Sequence, residues 1–402
     1  MRISTAGMHA SALNQMMTRS SSLVKTQNQI ASGTRILTPA DDPIGAAQAL
    51  EIDRALAESQ QHEKNTTAAN NRLSFEEQSL TDATALLQRV RDLVLQANSP
   101  TLDDTARKSI MSEVQVRYAD LVDLANRKDT NGEYLFSGYS TQTRPFSLSG
   151  NSVSYVGDDG VRMLQTGPSQ RIADGHAGSA VFMNIKQGNG TFLTGAVSTN
   201  TGGATIDAGT VIDTAAWVPG NYSIRFTSDT AYEVLDNGTT PATSVTTGTY
   251  SPNGTSVSFN GVEVQIKGAV AAGDAFTVST AGTEDMFTAV SNILTSLQRP
   301  SSSTAQNGLF ATEMGTALQQ LDNSLERLSD VRSEVGARLS VLSDATDNQA
   351  DREVDLKTQL SQIRDLDYAD AITTLNIQLA GLQAAQQSYA KISDLNLFNY
   401  LR

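Results

Sequence analysis

Apolar side chains recur every seven residues at both ends of this chain, and no such repeat runs through its middle. Near the N-terminus Met16, Leu23 and Ile30 keep the spacing, with Met8, Ala12 and Val24 beside them. Leu73, Leu80, Leu87 and Val94 keep it again, and Ala83, Val90 and Ala97 fill the second position of the seam. Toward the C-terminus Leu318, Leu321, Leu325, Leu328, Val335, Leu339 and Leu342 follow three/four spacing. Such a pattern belongs to long helices that meet along a seam. Two helical flanks separated by a non-helical insert bury their stripes only by meeting. The predicted fold class is therefore α+β multidomain, an antiparallel long-helix bundle or coiled coil built from both chain ends with an inserted all-β domain.

Glycine places the boundaries. Of 29 glycines, 20 lie between Pro145 and Glu284, a stretch with only 16 of the 72 charged residues. Five segments follow: a terminal helix over 1–42, the first part of a helical bundle over 43–144, the β domain over 145–284, the second part of the bundle over 285–362 and a last helix over 363–402. The helix junctions are read from Pro39, which cannot continue a helix, from Asp42 and Pro43, an N-cap with proline at the first helical position, and from Asp365 in Arg364-Asp365-Leu366-Asp367. A helix should run from Pro43 to about Ala97 and another from about Asp103, buried through Ile110, Val114, Tyr118, Leu121 and Ala125. The bundle seam is Leu73, Leu80, Leu87, Val94, Leu325, Leu328, Val335 and Leu339. The last helix carries Ile372, Leu375, Leu379, Leu382, Tyr389 and Ile392.

In the insert, Val153 and Tyr155 alternate before Asp158-Asp159-Gly160, and Val161 and Met163 alternate after it, which predicts a hairpin. Tyr222, Ile224 and Phe226 precede Tyr232 and Val234. Val257 and Phe259 lead into Asn260-Gly261, a strong hairpin turn, followed by Val262, Val264 and Ile266. Short strands of this kind suggest a small sandwich or barrel.

The composition excludes several kinds of chemistry. There is no cysteine, so disulfides, thiol catalysis and thiolate metal sites are ruled out. His9, His62 and His176 are far apart in sequence. A net charge of −14 argues against general affinity for nucleic acid or anionic membranes. Neither a signal-peptide apolar region nor an apolar run of membrane-spanning length is visible. Asp129-Thr130-Asn131-Gly132 resembles part of a calcium loop, but position twelve is Ser140, so a plain turn is expected. No nucleophile elbow or phosphate loop occurs. Trp217 is expected to pack inside the β domain; a carbohydrate-binding or hydrolytic cleft beside it would have to use Asp207 and Asp213. No cofactor, metal or catalytic residue is expected.

Each terminal helix carries few large apolar residues for its length and is rich in Gln, Asn, Ser and Thr. Alone, such segments bury too little to offset the entropy of ordering them. They are expected to order against neighbouring copies, with Met8, Met16, Leu23, Ile30, Leu375, Leu379, Leu382, Tyr389 and Ile392 as subunit-interface residues.

Three motifs lie in matching order at both ends. Ala31-Ser32-Gly33-Thr34-Arg35-Ile36 with Ala40-Asp41-Asp42-Pro43, then Leu87-Gln88-Arg89-Val90-Arg91-Asp92-Leu93, and finally Ile363-Arg364-Asp365-Leu366-Asp367-Tyr368-Ala369 resemble signatures of the flagellin superfamily. Asn131 to Gly138 (NGEYLFSG), the repeat from Asn260 to Ile266 with Gly273 to Phe276, and the ending Phe398 to Arg402 are more similar to its hook-associated members. The resemblance implies a non-enzymatic subunit of the bacterial flagellum at the hook–filament junction; a flagellin, the filament subunit itself, is the alternative. It further implies export through the type III apparatus without a cleaved signal and a homo-oligomeric ring with terminal helices in an inner core. Expected partners are the first hook-associated protein, flagellin, and an export chaperone on the C-terminal helix, with no nucleic acid and no membrane.

Overall fold

A computed structural model describes residues 5–99, 102–299 and 302–394. The chain divides into two compact units, one of residues 1–64 and 344–402, the other of residues 65–343. The helices are α1 (Thr5–Ser32), α2 (Pro43–Ala97), α3 (Asp104–Ala125), the short α4 (Gly178–Phe182), α5 (Met286–Leu297), α6 (Thr304–Arg364) and α7 (Tyr368–Asp394). None of the described helices is long and apolar enough to cross a membrane.

Local chemistry sets the helix ends. Asp42 Oδ1 accepts from the Gly45 amide at 2.9 Å at the start of α2. Asp103 accepts from the Ala106 amide at 2.7 Å at the start of α3, and Asp285 does the same for Thr288 at the start of α5. The sequence reading found no separate helix before α6. Yet α5 buries Met286, Phe287, Val290, Ile293, Leu294 and Leu297; at twelve residues it is short beside the long helices whose repeats dominate the sequence.

In the larger unit, α2 supplies Ala69, Leu73, Glu76, Leu80, Ala83, Leu87, Val90, Val94 and Ala97 at unbroken three/four spacing, all buried. The facing row on α6 is Met314, Ala317, Leu321, Ser324, Leu328, Val331, Val335 and Leu342. Two ion pairs, Arg91–Asp322 at 2.7 Å and Arg332–Glu77 at 2.8 Å, set α2 and α6 antiparallel. Leu325 and Leu339 flank this row half-buried, and Val331, absent from the sequence reading, sits fully inside it.

The strands are β1 (Phe146–Ser149), β2 (Ser152–Tyr155), β3 (Met163–Gln165), β4 (Arg171–Ala173), β5 (Ile185–Lys186), β6 (Phe192–Ala196), β7 (Thr205–Ile206), β8 (Thr210–Val211), β9 (Asn221–Ser228), β10 (Ala231–Asp236), β11 (Thr243–Thr249), β12 (Thr255–Phe259), β13 (Val262–Lys267), β14 (Ala275–Thr280) and β15 (Thr283–Glu284). A five-stranded sheet, β11-β10-β9-β14-β6, and a four-stranded sheet of β12-β13-β7 with β8 on β13 share one core. Ile224, Phe226 and Val278 come to that core from the first sheet and Val257, Val264 and Ile266 from the second, so this part is a sandwich. Asn260 (φ 45°) and Gly261 (φ 77°) form the β12–β13 turn, with left-handed backbone at both central positions as expected.

The hairpin predicted across Asp158-Asp159-Gly160 does not form. Val153 and Tyr155 lie on β2, which pairs with β1 through Leu148↔Val153 and Phe146↔Tyr155, and Met163 lies on β3, which pairs with β4. The two-residue turn Gly150-Asn151 provides a closer partner strand than the Asp158 loop. Phe146, Val153, Ile172, Val181 and Phe182 then join the helical core rather than the sandwich core. There Phe146 packs on Phe182 at 5.4 Å and on Phe287 at 5.1 Å between ring centroids.

Candidate assembly surfaces

In the smaller unit, α1 and α7 lie antiparallel. His9 meets Tyr389 edge to face at 5.6 Å, and Thr34 and Asp365 form an antiparallel bridge beside the bond from the Leu366 amide to the Gly33 carbonyl (3.0 Å). Leu23, Thr26 and Ala371 are buried between the helices. Met16, Ile30, Leu375, Leu382 and Tyr389 are half-buried along the same line. Met8 and Leu379 are exposed, and the side chain of Ile392, like the ending Phe398 to Arg402, lies outside the described residues.

The seven-residue repeat thus faces the partner helix within the subunit. A second set of apolar side chains faces solvent: Leu13, Met17 (56%) and Val24 on α1, and Ile372 and Ile377 (68%) on α7. Sequence reasoning gave these no separate role, because a helix with a diluted stripe shows its seam and hides its back. The available signal was the i, i+4 pair Leu13–Met17, followed seven residues on by Val24. Side chains of this size on both helices form more exposed apolar surface than isolated surface residues do.

The junctions are tied by charge. Asp41 Oδ2 accepts from the amides of Leu37 (3.1 Å) and Thr38 (2.9 Å), and its Oδ1 meets Lys25 Nζ at 2.6 Å. The Lys25 ammonium, with the Thr38 and Leu37 amides, holds the Asp41 carboxyl down to about 2. Asp42 is also held below the ordinary range, first by the Gly45 amide and then by Arg35. Pro39 lies in the turn between α1 and α2, and Pro43 opens α2. Asp365 pairs with Thr34 and accepts from Ser361, while the N-cap of α7 is Asp367, which accepts from the Ala369 amide at 2.9 Å.

In the larger unit the segment Tyr134–Gly138 is locked in place. Leu135, Phe136 and Ser137 are buried. Gly138 has φ 69°, and a Cβ there would lie 2.2 Å from the Asp158 carbonyl oxygen. Asp158 accepts from the Tyr139, Gly160 and Ser140 amides at 2.8, 2.8 and 2.9 Å, and these bonds, led by Tyr139, lower its pKa. Asp129 spends its carboxylate on the Asn131 and Glu133 amides and on buried Arg72 (3.0 Å).

A polar cluster that sequence reasoning missed interrupts the seam. Glu76 occupies a seam position, 1% exposed, with Oε1 2.7 Å from His176 Nδ1 and Oε2 without a hydrogen-bond partner. The other ring nitrogen of His176 meets Glu334 at 3.1 Å. Arg72, Asp174, Glu133 and Arg162 form a second set of ion pairs. Its members come from separate segments, so spacing along the chain could not reveal it.

Trp217 packs half-buried against Phe192 and Tyr222, with ring centroids 5.8 and 6.0 Å away. Asp207 accepts from the Gly209 and Gln265 amides, and Asp213 from the Ala215 and Ala216 amides, so both serve turns.

The model of the bacterial flagellin N-terminal helical region matches residues 3–141, and that of the bacterial flagellin C-terminal helical region matches residues 318–401. The model of the D2-like domain of flagellar hook-associated protein 1 matches residues 196–280. Flagellar hook-associated protein 3 of Escherichia coli K12 is 24% identical over 399 residues, 99% of either chain. The crystal structure of FlgL from Xanthomonas campestris is 32% identical with a TM-score of 0.73, covering 77% of this chain and 99% of that one. The flagellin of Bacillus subtilis is 27% identical over 182 residues, 44% of this chain and 58% of its own.

Proposed function

This chain belongs to the flagellar hook-associated protein 3 family of hook–filament junction proteins, and we propose that it acts there as a ring of like subunits held by its terminal helices. It is a structural component of the flagellum and not an enzyme. The observation that carries the proposal is the set of large apolar side chains left exposed on α1 and α7 after they have paired: Met8, Leu13, Met17 and Val24 with Ile372, Ile377 and Leu379. In a lone subunit this surface meets water. Packed against the same helices of neighbours, each side chain gains about 1.5–3 kcal/mol if fully buried. Met16, Ile30, Leu375, Leu382 and Tyr389 hold the helix pair together and complete their burial in the ring. Leu23 is already inside.

The same reading assigns the first hook-associated protein and flagellin as the neighbours on the two sides of the ring, and an export chaperone as the cover for the apolar face of α7 before assembly. Weakly packed tails suit export of an unfolded chain without a cleaved signal. The likeness to flagellins covers only part of the chain, 44% of it for the Bacillus subtilis protein and 62% for flagellin B of Helicobacter pylori, whereas the likeness to hook-associated protein 3 runs end to end, which favours the junction over the filament.

Electron microscopy of cells lacking the protein tests this role. Hooks without filaments, with flagellin released to the medium, are the expected result. Normal filaments on those cells would refute it.

A further inference from the structure

The five-stranded sheet ends at β6, and among the described residues no strand pairs with the side of β6 turned away from β14. Hydrogen bonds from the Ala281 amide to the Thr191 carbonyl (2.9 Å) and from the Val197 amide to the Ala275 carbonyl (3.2 Å) fix the alternation along the β6–β14 ladder. Odd-numbered residues of β6 bond to β14, so the N–H and C=O groups of Thr194 and Ala196 project from the free edge. They meet a cavity of about 340 Å³ whose opposite wall is made by α5 and α6.

Two features of that cavity point to a ligand. Gln320 on α6 is 4% exposed and lines the wall, and its Nε2 has no hydrogen-bond partner among the described residues. A buried donor left unmet is costly, which favours an occupant with a carbonyl. Glu284 is half-buried beside the mouth. It accepts from Asn292 Nδ2 at 3.0 Å but has no ion-pair partner among the described residues. The remaining charges there, Arg299 and Glu313, satisfy one another at 2.9 Å. Burial, with Asp285 adding to it, raises the pKa of Glu284, as expected of a carboxylate that lacks a cation.

We propose that this cavity is a docking slot for an extended segment of a partner polypeptide, which pairs with the free edge of β6 and sets one Lys or Arg side chain against Glu284. Strand addition supplies the affinity through the Thr194 and Ala196 backbone, and the carboxylate supplies the selection. The Gln320 amide donates to a carbonyl of the incoming segment. An acidic segment would set like charge beside Glu284 and is rejected. The acidic chain as a whole, at −14, attracts a basic partner to the slot.

The test is titration of the full-length, isotope-labelled chain with acetyl-Thr-Lys-Thr-amide and with acetyl-Thr-Glu-Thr-amide, read at the Thr194 and Ala196 amide resonances. The lysine probe should shift both saturably, with a dissociation constant on the order of millimolar, and the glutamate probe should bind about tenfold more weakly. Glu284→Gln should remove that preference while leaving the rest of the spectrum unchanged, and Gln320→Leu should weaken both probes. No shift at Thr194 and Ala196 with the lysine probe, or equal binding of the two probes by the unmodified chain, would overturn the proposal.

Discussion

The guanidinium of Arg35 donates to the backbone carbonyl of Ile363 at 2.9 Å, across 328 positions of sequence. The same group reaches Asp42 at 3.2 Å, so one side chain ties the end of α1, the start of α2 and the end of α6. Arg35→Ala should destabilise the smaller unit by about 1–2 kcal/mol, since two bonds to a charged donor are lost at a partly exposed site. Arg35→Lys should recover only part of this, because a point charge cannot span both acceptors. Chemical denaturation followed by helical circular dichroism measures both.

Acid should loosen the neighbouring turn within a defined window. The Asp41 carboxyl lies at about 2 in the folded chain, below its ordinary value of 3.8. A depressed carboxylate contributes stability above its unfolded pKa and loses it as pH falls through the folded one. Exchange protection of the Leu37 and Thr38 amides should therefore hold at neutral pH and fall between about pH 4 and pH 2. Asp41→Asn should flatten this dependence.

Removing the His176 ring leaves Glu76 buried with no partner for either carboxylate oxygen. His176→Ala is expected to cost about 2–4 kcal/mol, and His176→Ala with Glu76→Leu together should cost less than His176→Ala alone. Leu80→Ala, by contrast, leaves a cavity in the apolar seam and should cost about 2–5 kcal/mol with no such rescue. Thermal melts of these three variants against the unmodified chain provide the comparison.

Two glycines in one segment separate strain from collision. Gly132 and Gly138 both have positive φ, 81° and 69°. A Cβ at Gly132 meets nothing within 4 Å, whereas one at Gly138 strikes Asp158. Gly132→Ala should cost about 1 kcal/mol and Gly138→Ala clearly more, about 2–4 kcal/mol, with the Tyr139–Asp158 bond lost.

Much of this fold is legible in the sequence because its signals are local. Asp42-Pro43 marks the start of α2, and Asn260-Gly261 marks a hairpin, each through the backbone preference of its own residues. The strand partner of Val153–Tyr155 was misread, since two turns competed and the polar Asp158 loop is committed to Tyr139 and Ser140 instead. The contact surface was legible only in part. The periodic residues Met16, Leu23 and Leu382 mark the α1–α7 seam, whereas the exposure of Met17 and Ile377 emerges only once that seam is occupied. Glu76 breaks its apolar row for a reason that lies elsewhere in space, His176, whereas the Ser324 hydroxyl is satisfied locally by the Gln320 carbonyl one turn back on α6.

In the proposed ring, α1 and α7 become firm only beside the same helices of other subunits. Hydrogen exchange compares the dilute monomer with the protein in isolated flagella, using amides of Ala12–Ile30 and Ala371–Leu382 against the seam amides Leu73–Val94. Rapid exchange of the terminal helices in the monomer, slow exchange of the seam in both samples, and terminal protection rising to the seam's level after assembly are expected. Terminal helices already as protected as the seam in the monomer would contradict the proposal.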